Sequence, residues 1–175
     1  MTFTIISIIV ISVIGTLSHF LYEISNHNKI VGIFTAVNES VWEHIKIALT
    51  PTILWSIIDG FVYGSNQNYF LAKFISLFLL IILIPILFYG YKKLLNKEIL
   101  IIDILIFYIA IICSELSFYY LINTESVSYI INYLSLIGIF IIFGSYLLLT
   151  IFPIKHEVFK DPISKKYGYK GHTDE

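Results

Sequence analysis

Five long stretches of the chain are rich in apolar residues, and short polar segments separate them. Apolar runs extend from about Phe3 to Tyr22, Tyr69 to Tyr91, Ile99 to Ile122 and Tyr129 to Phe152. Each supplies the roughly 20 residues that an α-helix needs to cross a hydrocarbon core. The segment from Glu39 to Tyr63 is mixed, and Pro51 near its middle removes a backbone donor. The expected fold is all-α: a polytopic integral membrane protein with about five transmembrane helices, over 3–22, 39–63, 69–91, 99–122 and 129–152, the second kinked at Pro51. At 1.5 Å per residue the second span reaches about 37 Å, enough to cross with tilt. An alternative is an interfacial helix up to Leu49 followed by a re-entrant piece. Glu39, Glu43, Lys46 and Thr50 lie on one stripe there, with Val41, Ile45, Ala48 and Leu49 mostly opposite. On this reading residues 1–153 are the transmembrane domain and 154–175 a cytoplasmic tail.

Composition excludes an ordinary soluble domain. The 175 residues are 58% hydrophobic and 13% charged, with mean hydropathy +0.86, more apolar surface than a chain of this size can bury in water. The expected partner is the lipid bilayer. A net charge of −1 gives no basic field for nucleic acid. All 11 basic residues are lysine, which removes bidentate guanidinium clamps. The single cysteine, Cys113, excludes an intramolecular disulfide. Residues 1–4 carry no positive n-region, so the first span reads as a retained helix. Lysines set the orientation. Lys92, Lys93 and Lys97 follow the third span and five more occupy the tail, whereas 65–68 and 123–128 have none. The positive-inside rule then puts the N-terminus outside and the C-terminus in the cytoplasm of a multi-pass cell-membrane protein. Lys29 agrees, and Lys73 is the exception.

The densest polar feature is Asn38-Glu39-Ser40-Val41-Trp42-Glu43-His44-Ile45-Lys46. Structural roles account for part of it. Asn38 is a favourable N-cap, Ser40-x-x-Glu43 matches a capping box, and Trp42 suits a lipid interface. They do not account for two acids, a histidine and a lysine together, so Glu39, Glu43, His44 and Lys46 are candidate catalytic residues. His19 and Glu23, spaced i, i+4, share a helical face at the same membrane side. With Glu43 and His44 they form a candidate divalent-metal or proton-relay set. No Glu-x-x-His or His-Glu-x-x-His pattern occurs.

Asp59 and Glu115 lie inside apolar segments, where an ionisable group costs about 2.5–3.5 kcal/mol on insertion scales. They are candidates for a transport or proton path, against the simpler role of a neutral acid joining two helices. Ser114 and Ser117 flank Glu115 as hydrogen-bonding partners. Asp103, one turn into the fourth span, is placed by the helix dipole. Gly60-x-x-x-Gly64 suits either close helix contact or a loop. The tail segment Phe159-Lys160-Asp161-Pro162, followed by Tyr167-Gly168, mixes aromatic and turn residues. It is expected to fold back on the cytoplasmic face or touch anionic headgroups.

The nine-residue motif, preceded by His19-Phe20-x-Tyr22-Glu23, resembles a group of small bacterial membrane proteins of unknown function. Their signature reads Pro-Val-Asn-Glu-Ser-Val-Trp-Glu-His-Leu-Lys. Phe159-Lys160-Asp161-Pro162 with Tyr167-Gly168 is similar to that family's closing motif. Ala36 stands where the family usually has proline, and Ile45 replaces leucine. The resemblance implies a multi-span helical protein and no reaction. Three functions remain: a structural, docking or regulatory protein, with Asn38, Ser40, Trp42, Asp161 and Pro162 as its structural motif; a metal-binding protein or enzyme using His19, Glu23, Glu39, Glu43 and His44; and an ion- or proton-coupled carrier using Asp59 and Glu115. A homo-oligomer or membrane partner fits each of them. The structural reading carries most weight, because no reaction signature is complete.

Overall fold

A computed structural model describes residues 1–171; positions 172–175 of the expected tail lie outside the described residues. Six α-helices occur among them: α1 (Thr2–Ile24), α2 (Lys29–Phe34), α3 (Val41–Tyr63), α4 (Tyr69–Leu95), α5 (Leu100–Ile122) and α6 (Tyr129–Ile151). All but α2 are long and apolar enough to cross a membrane. The boundaries differ from the expected spans by at most four residues. The largest difference is at the end of α4, where Lys92 and Lys93 continue the helix to a left-handed cap at Asn96. α3 is one helix through Pro51, not an interfacial piece followed by a re-entrant one.

α4 packs against α3, α5 and α6, while α1 packs against α3 and α5. The bundle has two ends. One carries the end of α1, α2, the start of α3, the α4–α5 loop and the tail. The opposite end carries the start of α1, the α3–α4 hairpin and the α5–α6 loop. Helix faces turned away from the bundle are apolar, with Ile9, Val13 and Leu17 on α1 and Phe61 on α3 exposed.

Lipid is as apolar as leucine, so close packing and interhelical hydrogen bonds hold such a bundle together. Gly15 shows the packing requirement. Proline at 51 cannot donate to the carbonyl of Ile47 one turn earlier, and a Cβ at Gly15 would stand 2.7 Å from that oxygen. A Cβ at Gly138 would meet the Phe74 ring at 2.5 Å. Hydrogen bonds join neighbours where packing is close: Trp55 Nε1 donates to Ser7 Oγ at 2.8 Å, and Thr16 and Tyr108 hydroxyls meet at 3.0 Å. Gly64 caps α3, donating its N–H to the Gly60 carbonyl, so the Gly60-x-x-x-Gly64 spacing closes a helix end.

The segment 23–37, read from sequence as a polar stretch, contains α2. Asn26 and His27 adopt positive φ of 52° and 60° and reverse the chain after α1. Asn28 then accepts from the N–H groups of Ile30 and Val31 and starts α2.

Candidate functional site

The nine-residue motif spans the turn into α3, and most of it faces inward. Glu43 and Lys46 are i, i+3 on α3 and form an ion pair of 2.7 Å with almost no exposure. The pair also serves two loop backbones. Glu43 Oε2 accepts from the Val37 N–H at 3.0 Å, and Lys46 Nζ donates to the Gly32 carbonyl at 2.8 Å. Charge-assisted bonds of this kind are the strong ones, and here they tie α2 and the 35–40 turn to α3. The capping box expected at Ser40-x-x-Glu43 does not form. Ser40 is the N-cap residue without a side-chain cap bond, because Glu43 is engaged with Lys46 and Val37.

Tyr146 on α6 adds a second tie. Its hydroxyl donates to the Ile33 carbonyl at 2.7 Å, so it must accept from Thr50 Oγ1, also at 2.7 Å.

The same turn clamps the tail. Asn38 Nδ2 donates to the Gly168 carbonyl at 2.9 Å, and Asn38 Oδ1 accepts from the Ser40 N–H at 2.9 Å. Asp161 returns the contact: Oδ1 accepts from the Glu39 N–H at 3.0 Å, and Oδ2 from Ser164 N–H at 2.5 Å. Trp42 is buried rather than placed at a lipid interface, its ring 5.0 Å from that of Phe159. Pro162 follows Asp161 at the rim of a cleft of about 150 Å³ shared with Glu39, Lys92, Glu157 and Lys160. Tyr169 donates to the Lys29 carbonyl at 2.7 Å, so the tail also covers α2. Burial, then the nearby Tyr22 and Glu43, pushes the Tyr169 hydroxyl up to about 12.

What remains open to solvent is Glu39 with two imidazoles. His19 Nε2 stands 3.4 Å and His44 Nε2 4.0 Å from its carboxylate oxygens. His44 Nδ1 lies 3.0 Å from the Ser40 carbonyl, so that nitrogen carries the proton and Nε2 faces Glu39. Glu43, a member of the expected metal set, points away to Lys46. Glu23 lines a second cleft of about 120 Å³ with His19 and Glu39. Among the described residues no three His, Cys, Asp or Glu side chains are grouped closely enough to hold a metal ion. Asp103 accepts from Tyr91 Oη at 2.5 Å, and Tyr91 Oη accepts from the Ile99 N–H at 3.2 Å, which closes the α4–α5 loop.

The opposite end holds a polar cluster of different character. Asp59 on α3 and Lys73 on α4 form an ion pair, both almost fully buried. Lys73 Nζ lies 4.3 Å from the centre of the Phe118 ring on α5. Glu115, one turn earlier on the same face of α5, is 1% exposed. Ser76 Oγ donates to Ser114 Oγ at 2.7 Å, and Ser114 Oγ donates to the Ser76 carbonyl at 2.9 Å. Thus Ser114 joins α4 rather than serving Glu115. Ser117 Oγ donates to the Ser114 carbonyl at 2.7 Å. Asp59 Oδ1 and Glu115 Oε1 are buried without a hydrogen-bond partner among the described residues.

Sequence reasoning paired Asp59 with Glu115 and passed over Lys73. A signal was available: residues 59 and 73 are each seven positions from Asn66 at the hairpin. Two helices of one hairpin place such positions at similar depth. The loops here are closed by asparagines. Asn68 Nδ2 donates to the Leu121 carbonyl at 3.0 Å and its Oδ1 accepts from Val127 N–H at 2.8 Å.

Five apolar spans around buried polar clusters define a multi-pass helical membrane protein. The model of a family of unknown function, DUF6512, matches residues 1–169, and the chain belongs to that family. No curated protein and no solved structure matches the chain.

Proposed function

We propose that the protein is a non-catalytic membrane protein whose nine-residue motif is an assembly element. The motif locks α2 and the tail over one end of the bundle and leaves Glu39, flanked by His19 and His44, to meet a partner at the membrane face. Lysine placement supports a cytoplasmic location for that face, with the N-terminus outside. The observation that carries the reading is how the motif's polar side chains are used. Asn38, Glu43 and Lys46 are engaged with backbone groups of this chain, and of the motif's two acids Glu39 is the half-exposed one. A reactive site needs its acid, base and ligands accessible to a substrate.

Unfolding in mild detergent tests the reading. Glu43→Gln, Lys46→Met and Asn38→Ala should each lower stability, whereas Glu39→Gln should leave it within about 0.5 kcal/mol of wild type. A photo-crosslinker placed at Glu39 in the native membrane should capture a discrete partner. Unchanged stability in both Glu43→Gln and Lys46→Met would sink the assembly role.

A second reading has one observation in its favour: two Nε2 atoms face one carboxylate, at distances that a bound ion would have to shorten by drawing the three groups together. Elemental analysis of the purified protein, beside a His19→Ala/His44→Ala variant, tests a divalent-metal site. Near-stoichiometric metal that disappears in a folded variant would replace docking with metal chemistry.

A further inference from the structure

We propose that Asp59, Lys73 and Glu115 form a binding site for a single exchangeable proton inside the apolar layer. The argument begins with charge. Three ionisable side chains from three helices share one buried region, two acidic and one basic. Asp59 and Lys73 neutralise each other as an ion pair. Glu115 has no countercharge of its own, although the charges of Lys73 and Asp59 both reach its carboxyl. No other helix supplies one. α6 has no Asp, Glu, Lys or His between 129 and 151, and the charged side chains of α1, His19 and Glu23, lie at the motif end. Tyr63 and Tyr69 are the titratable phenols near Asp59, and the Tyr69 hydroxyl is committed to the Ser56 carbonyl at 2.8 Å.

With all three groups ionised the site carries one net negative charge in a medium that solvates it poorly. With one proton added it is neutral. The proton resides on Glu115 while the Asp59–Lys73 pair persists. Glu115 Oε1 is buried without a hydrogen-bond partner and so has a lone pair open to that proton, and Asp59 Oδ1 is likewise unpartnered. Among the described residues, no charged group of the motif end has a buried atom left without a partner.

Access comes from the N-terminal side of the membrane. Asp59 is four residues from the end of α3 and Lys73 four from the start of α4, about 6 Å of helix in each case. Rings close this short route. Phe118 lies 5.7 Å from Tyr63 and 6.1 Å from Tyr69, both edge-on. A proton thus enters from one side past a ring cluster, binds the carboxyl and leaves by the same route; the three residues make a one-sided site.

Infrared difference spectroscopy on the full chain in detergent tests this through the carbonyl stretch of an un-ionised carboxylic acid. Wild type should show one such buried group at neutral pH, with a band that shifts on transfer to D2O and disappears reversibly at alkaline pH. Glu115→Gln should remove the band. Lys73→Met, which deletes the cation, should give two. Circular dichroism reports whether each variant keeps its helices. If Glu115→Gln fails to fold, Glu115→Asp takes its place: it keeps a carboxylic acid and should move the band, and an unmoved band overturns the proposal. Absence of the band from folded wild type, or a band that neither exchanges nor titrates before the helices melt, overturns the proposal. So does a band that survives in a folded Asp59→Asn/Glu115→Gln variant.

Discussion

The molecule buries two acid–lysine pairs, one at each end, and they are built differently. Glu43 and Lys46 sit on one helix, and each also bonds a loop backbone, at Val37 and Gly32. Asp59 and Lys73 sit on two helices, bond each other, and leave two carboxyl oxygens beside them without a partner. Burial is nearly complete in both, so burial does not separate them. What separates them is where the remaining bonding capacity goes. At the motif end it holds backbone groups that would otherwise be buried unsatisfied, at a cost of about 1–3 kcal/mol each. At the opposite end it is unspent, and an ionisable group with unspent capacity is free to change its proton count. Neutral atoms do not follow the same division: Ser40 Oγ and Trp42 Nε1 are also unpartnered at the motif end, but neither titrates in the ordinary range.

The sharpest way to break the comparison is to remove each lysine. Lys46→Met strands a buried carboxylate and frees the Gly32 carbonyl, so unfolding in detergent should show a loss of about 3–5 kcal/mol. Adding Glu43→Gln should restore much of it, because the stranded charge disappears. Lys73→Met should cost less, about 1–3 kcal/mol, because no loop backbone depends on that pair. Equal losses in the two variants would mean that the two pairs do the same work.

Most of the spans were legible because membrane crossing imposes length and apolarity, which a linear reading detects directly. α3 also shows its limits. Its ends fell within two residues of expectation, yet the partners of Glu43 and Trp42 did not follow from local rules. A capping box is a four-residue pattern, and Lys46, one further turn along, competed for the same carboxylate. Asn38 reaches Gly168, and Asp161 reaches Glu39, across more than a hundred residues. Nothing in the spacing encodes such contacts, although the unusual polarity of both segments was visible. α2 escaped because six residues are too few to show a period. Lys73 was read only as an exception to the lysine pattern that sets orientation, while its mirror relation to Asp59 about the hairpin carried the useful information.

The tail clamp gives an intermediate effect that sharpens the contrast. Asp161→Ala removes the acceptor of the Glu39 and Ser164 N–H groups. The cost should be about 1–2 kcal/mol, in the range of a lost capping side chain. Because that energy holds only the tail, the bundle should still unfold near the wild-type midpoint while trypsin cuts at Lys165 or Lys166 roughly tenfold faster. Cleavage at the wild-type rate would show that the carboxylate does not hold the tail.

The smallest effect belongs to Tyr169, whose single hydrogen bond to the Lys29 carbonyl joins tail and α2. Tyr169→Phe should weaken tail docking by about 0.5–1.5 kcal/mol. Its pH dependence follows from the hydroxyl, held up to about 12 when docked, first by burial and then by Tyr22 and Glu43. In a released tail it titrates near its ordinary value of about 10. The docked form therefore binds the proton more tightly. Its contribution is complete below about 10 and is lost as pH rises toward 12. Trp42 reports the event, since Phe159 of the tail covers it. In a Trp55→Phe background, Trp42 emission should move to the red over that interval, and the movement should shrink when Tyr169→Phe is added. An undiminished shift would show that the Tyr169 hydroxyl does not carry the alkaline loosening and that the ring acts by packing alone.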